Sequence, residues 1–293
     1  MIPAEILKKV KRVELRTRRL VNTVFSGEYH SVFKGQGMAF SEVREYRPGD
    51  EIRTIDWNVT ARMGEPFVKV FDEERELSVM LVVDASGSGD FGTVEQMKGE
   101  IAVEICALLA FSAIQNNDRV GLIIFTDEVE TYIPPKKGKK HVLRVIRELL
   151  YFKPERRGTD VAEALNYLNR LSLRRSVVFV VSDFRSSPFE SPLRVAKRKH
   201  DVIGISIRDP REEALPDVGI VELEDAETGE EVLLDTSDAE TRKLFEQDYQ
   251  RVVAEREDVF RSIGVDTIDV TTAQPYADPL MRFFKMRGTK IRA

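Results

Sequence analysis

From residue 77 onward, short runs of consecutive apolar residues alternate with longer stretches in which apolar residues recur every three or four positions. The first pattern predicts strands buried on both faces, and the second predicts amphipathic helices. The predicted strands are residues 79–83, 120–125, 129–133, 177–181, 202–207 and 265–270, and the predicted helices are residues 94–116, 139–151, 161–171, 188–199, 238–262 and 276–287. This alternation predicts an α/β fold with a doubly wound, mostly parallel sheet and helices on both faces.

Three segments depart from this rhythm. Residues 1–25 predict a helix rich in Lys and Arg, which either presents a solvated basic face or contacts anionic lipid or an acidic partner. Residues 26–76 hold several glycines between short apolar runs and predict turns and short strands rather than helix. Residues 219–235 predict a β-hairpin that turns at Thr228-Gly229. We therefore divide the chain into residues 1–25, a β-rich segment 26–76, and a domain 77–293 with a hairpin insertion.

Composition narrows the class of protein. The net charge of -5 argues against general nucleic-acid binding. The chain has one cysteine, Cys106, and three widely spaced histidines, so neither a disulfide framework nor a zinc site is expected. No run approaches the roughly 18 apolar residues of a membrane span, and no secretory signal is evident. We expect a cytoplasmic protein.

Oxygen-bearing side chains follow the predicted strands at the edge where open parallel sheets bind ligands. They are Asp84, Ser86 and Ser88 after the first strand, Thr159 before the helix 161–171, and Asp183 after the fourth strand. Hydroxyl and carboxylate oxygens suit Mg²⁺ or Mn²⁺. Each residue also has a structural explanation: the serines as turn or helix-cap residues, Asp160 with Glu163 as a capping box that Thr159 supports, and Asp183 as a cap.

The order D-x-S-x-S, then Thr, then Asp resembles the metal-ion-dependent adhesion site (MIDAS) of von Willebrand factor A-like domains. The resemblance maps onto Asp84, Ser86, Ser88, Thr159 and Asp183 without gaps. It implies that the three hydroxyls bind Mg²⁺ directly and that the aspartates act through water. It also implies that an Asp or Glu carboxylate of a protein partner fills the open coordination position.

A second resemblance covers most of the chain. Residues 40–57, with Arg47-Pro48-Gly49-Asp50 at their centre, and the pair Ala61-Arg62 are similar to the signature of the bacterial DUF58 family. The turn 225–230 and the ending 282–284 are similar to that family as well. The resemblance implies a partner of a MoxR-type AAA+ ATPase, acting in chaperone-like assembly or remodelling. The chain itself lacks a phosphate-binding G-x-x-x-x-G-K-[ST] loop.

The arginines of this signature have two interpretations. Arg44, Arg47, Arg53 and Arg62 either pair with Asp50, Asp56 and Glu42 in a buried network, with Trp57 as a packing anchor, or form a docking surface for acidic groups.

The sequence thus predicts a non-enzymatic, metal-dependent protein-binding adaptor. One alternative is a phosphoryl-transfer or hydrolytic enzyme that uses Asp84 as nucleophile, although Ser86 stands where the D-x-D pattern of aspartate-based phosphatases has its second Asp. A serine hydrolase lacks its G-x-S-x-G elbow here. Further alternatives are a scaffold with a purely structural metal and a peripheral membrane protein that uses residues 1–25.

Overall fold

The computed structural model describes residues 11–15, 17, 29, 32, 39–72, 77–92, 96–186 and 188–292. The chain divides into two compact units, Phe33–Leu77 and a larger unit that joins Met1–Val32 to Ser78–Ala293. Of the predicted N-terminal helix, residues 11–15 and 17 are helical, and the rest of 1–25 lies outside the described residues. No helix within the described ranges is long and apolar enough to cross a membrane.

The smaller unit contains an antiparallel strand pair and a short helix. Its elements are β1 (Ala39–Glu45), a 3-10 turn (Ile52–Thr54), α1 (Trp57–Met63) and β2 (Phe67–Asp72). The carboxylate of Asp56 caps α1 by accepting hydrogen bonds from two backbone N–H groups, and Gly64 ends the helix with a φ of 81°. The helix α1 departs from the sequence prediction, which has turns and short strands here.

The signature side chains of this unit do not form a buried network. Arg44 donates to both carboxylate oxygens of Asp50, at 2.8 and 2.7 Å, but the Arg44 side chain is 39% exposed. Arg44 and the backbone N–H of Arg47 lower the pKa of Asp50 to about 2. Asp56 pairs with Lys69, and Arg47, Arg53 and Arg62 are exposed. Trp57 is 68% exposed at the start of α1, so its prediction as a packing anchor is wrong.

The larger unit is built on a six-stranded sheet. Its strands are β3 (Ser78–Asp84), β4 (Arg119–Phe125), β5 (Val129–Lys136), β6 (Val177–Ser182), β7 (Asp201–Arg208) and β10 (Asp266–Thr271). Their order across the sheet is β10-β7-β6-β3-β4-β5. The paired neighbours are parallel except β4 and the edge strand β5, which run antiparallel. A separate antiparallel hairpin consists of β8 (Ile220–Glu224) and β9 (Glu231–Asp235).

Helices connect these strands and cover the sheet. They are α2 (Lys98–Gln115), α3 (Lys139–Tyr151), α4 (Val161–Arg170), α5 (Glu190–Lys199), α6 (Pro210–Glu213), α7 (Ala239–Ile263) and α8 (Ala277–Arg292). Met80 and Phe125 of the sheet share one buried cluster with residues of α4, α5 and α7. The side chains that alternate with them, such as Leu81, point to the opposite face, where α2 packs. The predicted fold class is confirmed.

Candidate metal centre

The direction in which successive strands are added to the sheet reverses between β3 and β6. From β3 the chain passes through α2 to β4 on one side, whereas β6 lies on the other side of β3. Such a reversal leaves a crevice at the carboxyl ends of the two strands, which is where open α/β sheets bind ligands. β3 ends at Asp84, and β6 ends at Ser182, directly before Asp183.

The loop after β3 brings its predicted oxygen atoms together. One carboxylate oxygen of Asp84 accepts a hydrogen bond from the Ser86 backbone N–H at 2.9 Å, and the other accepts from the Ser182 hydroxyl at 2.5 Å. The chain then tightens into a 3-10 turn, Gly87–Asp90, which places the Ser86 and Ser88 hydroxyl oxygens 3.0 Å apart. The D-x-S-x-S segment therefore presents two hydroxyls and a carboxylate at one point.

Asp183 reaches the same point from β6 and is almost fully buried. Its carboxylate accepts hydrogen bonds from the backbone N–H of Arg185 at 3.1 Å, from the Ser88 hydroxyl, and from the Lys98 ammonium at 3.0 Å. Lys98 also donates to Glu212 at 2.7 Å, and its side chain is only 4% exposed. One buried ammonium thus bridges the carboxylate of the crevice and a carboxylate of α6.

The two aspartates differ in their electrostatic surroundings. Burial and the nearby charge of Asp183 raise the pKa of Asp84 to about 6. Burial also acts to raise the pKa of Asp183, but the Lys98 charge and the hydrogen bond from Arg185 outweigh it and lower that pKa. Burial acts to lower the pKa of Lys98, but the charges of Asp183 and Glu212 outweigh it and raise that pKa.

Thr159 belongs to a third loop, directly before α4. The Gly87 N–H donates to the Arg157 carbonyl oxygen at 2.9 Å and joins this loop to the serine turn. The Thr159 hydroxyl donates at 2.5 Å to the Glu227 carboxylate, at the tip of the β8–β9 hairpin. Asp160 caps α4, accepting from the Glu163 N–H at 2.9 Å. The other half of the predicted capping box is not formed, because the Asp160 N–H donates to the Thr126 carbonyl oxygen and the Glu163 carboxylate accepts from Arg170.

Two other capping interpretations are wrong. Ser86 precedes the 3-10 turn but makes no side-chain capping hydrogen bond. The helix α5 begins only after Phe189, without a side-chain cap, so Asp183 does not cap it. The Ser86 hydroxyl lies 3.0 Å from that of Ser88 instead, and the Asp183 carboxylate accepts from Lys98 and the Arg185 N–H.

Three partners of this site come from distant segments and are not predicted from the sequence: Lys98, Glu212 and Glu227. Lys98 offered a signal, because it is the one cationic residue of α2 and stands at the start of this mostly apolar helix. Glu227 offered a second signal, because it stands in the turn that resembles the DUF58 family. Neither signal predicts which residue Lys98 or Glu227 contacts.

The donor set fits a hard divalent cation. Among the residues that the structure describes, no group of three or more His, Cys, Asp or Glu side chains is placed to hold a metal. A cation here depends on hydroxyl ligands from Ser86, Ser88 and Thr159 together with Asp84 and Asp183, and such an all-oxygen set suits Mg²⁺ or Mn²⁺. Lys98 can keep Glu212 as its partner when a cation approaches Asp183.

Comparison with known proteins shows the family of this chain. A family model described as "Protein of unknown function DUF58" matches residues 42–255. The chain belongs to the DUF58 family. A relative named "Uncharacterized protein Rv1480", from Mycobacterium tuberculosis, is 32% identical over 287 residues, covering 95% of this chain and 88% of the relative. The Bacillus subtilis protein YeaD is 28% identical over 109 residues, covering 37% of this chain and 25% of its own length.

Solved structures with a similar arrangement include two bacterial proteins. One is the conserved hypothetical protein BatB from Bacteroides thetaiotaomicron, with a TM-score of 0.46 and 15% identity, covering 73% of this chain and 99% of its own. The other is a von Willebrand factor type A structure from Catenulispora acidiphila, with a TM-score of 0.41 and 10% identity, covering 76% of this chain and 43% of its own. The fold assignment depends on the strand order and pairing described above.

Proposed function

We propose that this DUF58 protein is a non-enzymatic adaptor that binds a protein partner through a divalent cation held at the ends of β3 and β6. Ser86, Ser88 and Thr159 would supply hydroxyl ligands, and Asp84 and Asp183 would balance the charge. The observation that carries the proposal is the convergence of Asp84, Ser86, Ser88 and Asp183, from two loops, at the reversal point of the sheet. Thr159 lies in a third loop, which a backbone hydrogen bond from Gly87 to Arg157 joins to the serine turn. When bound, the cation would attract an Asp or Glu carboxylate of the partner.

The arrangement around Asp84 favours binding over catalysis by this residue. Both of its carboxylate oxygens already accept hydrogen bonds, from Ser86 and Ser182. Ser86 stands where a second acidic residue would serve as proton donor in an aspartate-based phosphatase. We therefore expect no hydrolysis of acetyl phosphate above that of the Asp84→Asn variant.

The proposed partner class is a MoxR-type AAA+ ATPase in the cytoplasm, with chaperone-like assembly or remodelling as the shared task. This part of the proposal rests on the family resemblance. It predicts that a MoxR-type ATPase is retained on the immobilised protein in Mg²⁺ and released in EDTA. Retention that is equal in Mg²⁺, in EDTA and with Asp84→Asn would contradict a metal-mediated contact.

The first test is thermal unfolding of the wild type and of Asp84→Asn, with and without Mg²⁺ or Mn²⁺. A cation that binds only the folded protein adds about 2.7 kcal/mol of stability at a hundredfold excess over its Kd. We expect the melting temperature of the wild type to rise with the cation and that of Asp84→Asn to stay constant. Asp127→Asn removes a half-exposed carboxylate that pairs with Arg156 and is the matched control. It should respond like the wild type, and a wild type that ignores both cations would refute the metal site.

A further inference from the structure

The β8–β9 hairpin carries a carboxylate into the candidate metal centre. Glu227 accepts a hydrogen bond from the Thr159 hydroxyl at 2.5 Å. Burial raises the pKa of Glu227, and the nearby charge of Asp183 makes a smaller contribution in the same direction. Thr159 is one of the three hydroxyl residues of the proposed site. A carboxylate of this chain therefore already contacts one of the proposed hydroxyl ligands.

The turn of the hairpin is built to hold Glu227 in this position. The Asp225 carboxylate accepts from the N–H groups of Glu227 at 2.9 Å and Thr228 at 2.8 Å. The Gly229 N–H donates to the Asp225 carbonyl oxygen at 2.7 Å, and Gly229 has a φ of 72°. These bonds close the turn and leave the Glu227 side chain directed at Thr159 rather than at its own backbone.

The turn also packs directly on the serine loop. A Cβ atom on Gly87 would overlap the backbone carbonyl of Ala226, so a residue with any side chain at position 87 would push the turn away. Gly87 lies between Ser86 and Ser88, the two serines of the proposed site. The absence of a side chain at this position is what allows the hairpin tip to reach the crevice.

The strands behind the tip are weakly buried. Ile220 is 73% exposed and Leu233 is 72% exposed, and no residue of β8 or β9 is fully buried. A hairpin that has few buried apolar contacts beyond its tip can separate from the domain at low free-energy cost. The contact of Glu227 can therefore break without exposing a buried apolar core of the hairpin.

We propose that Glu227 is the one carboxylate of this chain that binds the cation directly, while Asp84 and Asp183 balance its charge without contacting it, and that a partner's Asp or Glu must displace Glu227. This inference deepens the proposed function and depends on it. Glu227 then competes with external carboxylates for the cation and lowers their affinity. Only a partner whose binding also displaces the hairpin would bind tightly.

Mn²⁺ binding to the full-length protein tests this assignment, measured from the electron paramagnetic resonance signal of the free ion. Loss of supporting groups around a metal commonly weakens binding about 10- to 100-fold, so Glu227→Gln should weaken Mn²⁺ binding by about tenfold or more. Glu230→Gln removes the same charge from an exposed position in the same turn and should leave the affinity unchanged. Acetate should partly restore Mn²⁺ binding to Glu227→Ala and have no such effect on the wild type.

Hydrogen exchange supplies a readout that does not depend on affinity. Saturating Mg²⁺ should slow exchange of the hairpin amides, residues 220–235, in the wild type but not in Glu227→Gln. Equal Mn²⁺ affinity in the wild type and Glu227→Gln, with hairpin exchange indifferent to Mg²⁺, would overturn this inference and leave the proposed function standing. No Mn²⁺ binding by any of the proteins would overturn both.

Discussion

Among single residues, Lys98 links two carboxylates of the crevice that come from different segments of the chain. Its ammonium lies between the carboxylates of Asp183 and Glu212, at 3.0 and 2.7 Å, in surroundings with little access to water. Lys98→Met would leave both carboxylates without their common partner. Removing one member of a buried ion pair typically costs about 3–5 kcal/mol. We expect a loss of that size in the free energy of unfolding, measured with urea in EDTA.

A cation in the crevice would replace part of the missing charge. Mg²⁺ should therefore raise the stability of Lys98→Met by more than it raises that of the wild type. Arg194→Met is the control, because Arg194 pairs with Glu190 on the exposed face of α5 and such pairs contribute about 1 kcal/mol or less. A Lys98→Met protein as stable as Arg194→Met would show that the buried pair contributes little.

Some contacts of the site can be predicted from a local sequence pattern, and others cannot. Asp84, Ser86 and Ser88 stand two apart at the end of an apolar run, so their spacing alone predicts that their oxygen atoms converge. The contact between Thr159 and Glu227 spans 68 positions, and that between Lys98 and Asp183 spans 85. No local pattern encodes such contacts, because they depend on how a hairpin and a helix pack onto the sheet.

At the scale of elements, His200 joins the end of α5 to the start of β7. Its ring is buried, and Nδ1 accepts a hydrogen bond from the Ser176 N–H at 3.3 Å. Burial, with a smaller contribution from the Lys199 charge, lowers the pKa of His200. The unfolded chain thus binds a proton near the ordinary pKa of about 6.5, where the folded protein does not. His200 contributes stability above that pH, and the contribution is lost as the pH falls through the lowered pKa.

Urea unfolding of the wild type and His200→Gln between pH 7.5 and 5.0 measures this contribution. The difference in free energy of unfolding between the two proteins should shrink as the pH falls. Other groups, Asp84 among them, titrate in both proteins and cancel in the difference. A difference that stays constant over this range would contradict the assigned role of His200.

The elements themselves were mostly predictable, and the exceptions have physical reasons. The helix predicted at residues 139–151 matches α3, because its apolar face is continuous and Gly138 precedes it. The helix predicted from residue 94 begins at Lys98 instead, after the 3-10 turn of the site. The short helix α1 was missed because it has no apolar stripe; its evidence is the cap at Asp56 and the left-handed Gly64.

At the scale of the whole molecule, alternation of strands and helices predicts a parallel sheet but leaves its strand order open. The position of β3 between β6 and β4 depends on how the helices pack on both faces of the sheet, and no single segment of the sequence determines it. That choice brings Asp84 and Asp183 together and turns separate loop residues into one candidate site. The geometry of the candidate site therefore depends on the folding of the larger unit as a whole.

Cys106 allows this link to be measured without an added probe. It is the single cysteine of the chain, it lies fully buried on α2, and burial raises the pKa of its thiol to about 12. A thiol reagent should therefore modify it only after unfolding that exposes α2. If Mg²⁺ binds the folded crevice, a hundredfold excess over its Kd should slow labelling about a hundredfold, corresponding to about 2.7 kcal/mol. Asp84→Asn should label at the same rate with and without Mg²⁺. Rapid labelling of the folded wild type would contradict the burial of Cys106. Equal slowing in both proteins would show that the cation stabilises the protein from a place outside the crevice.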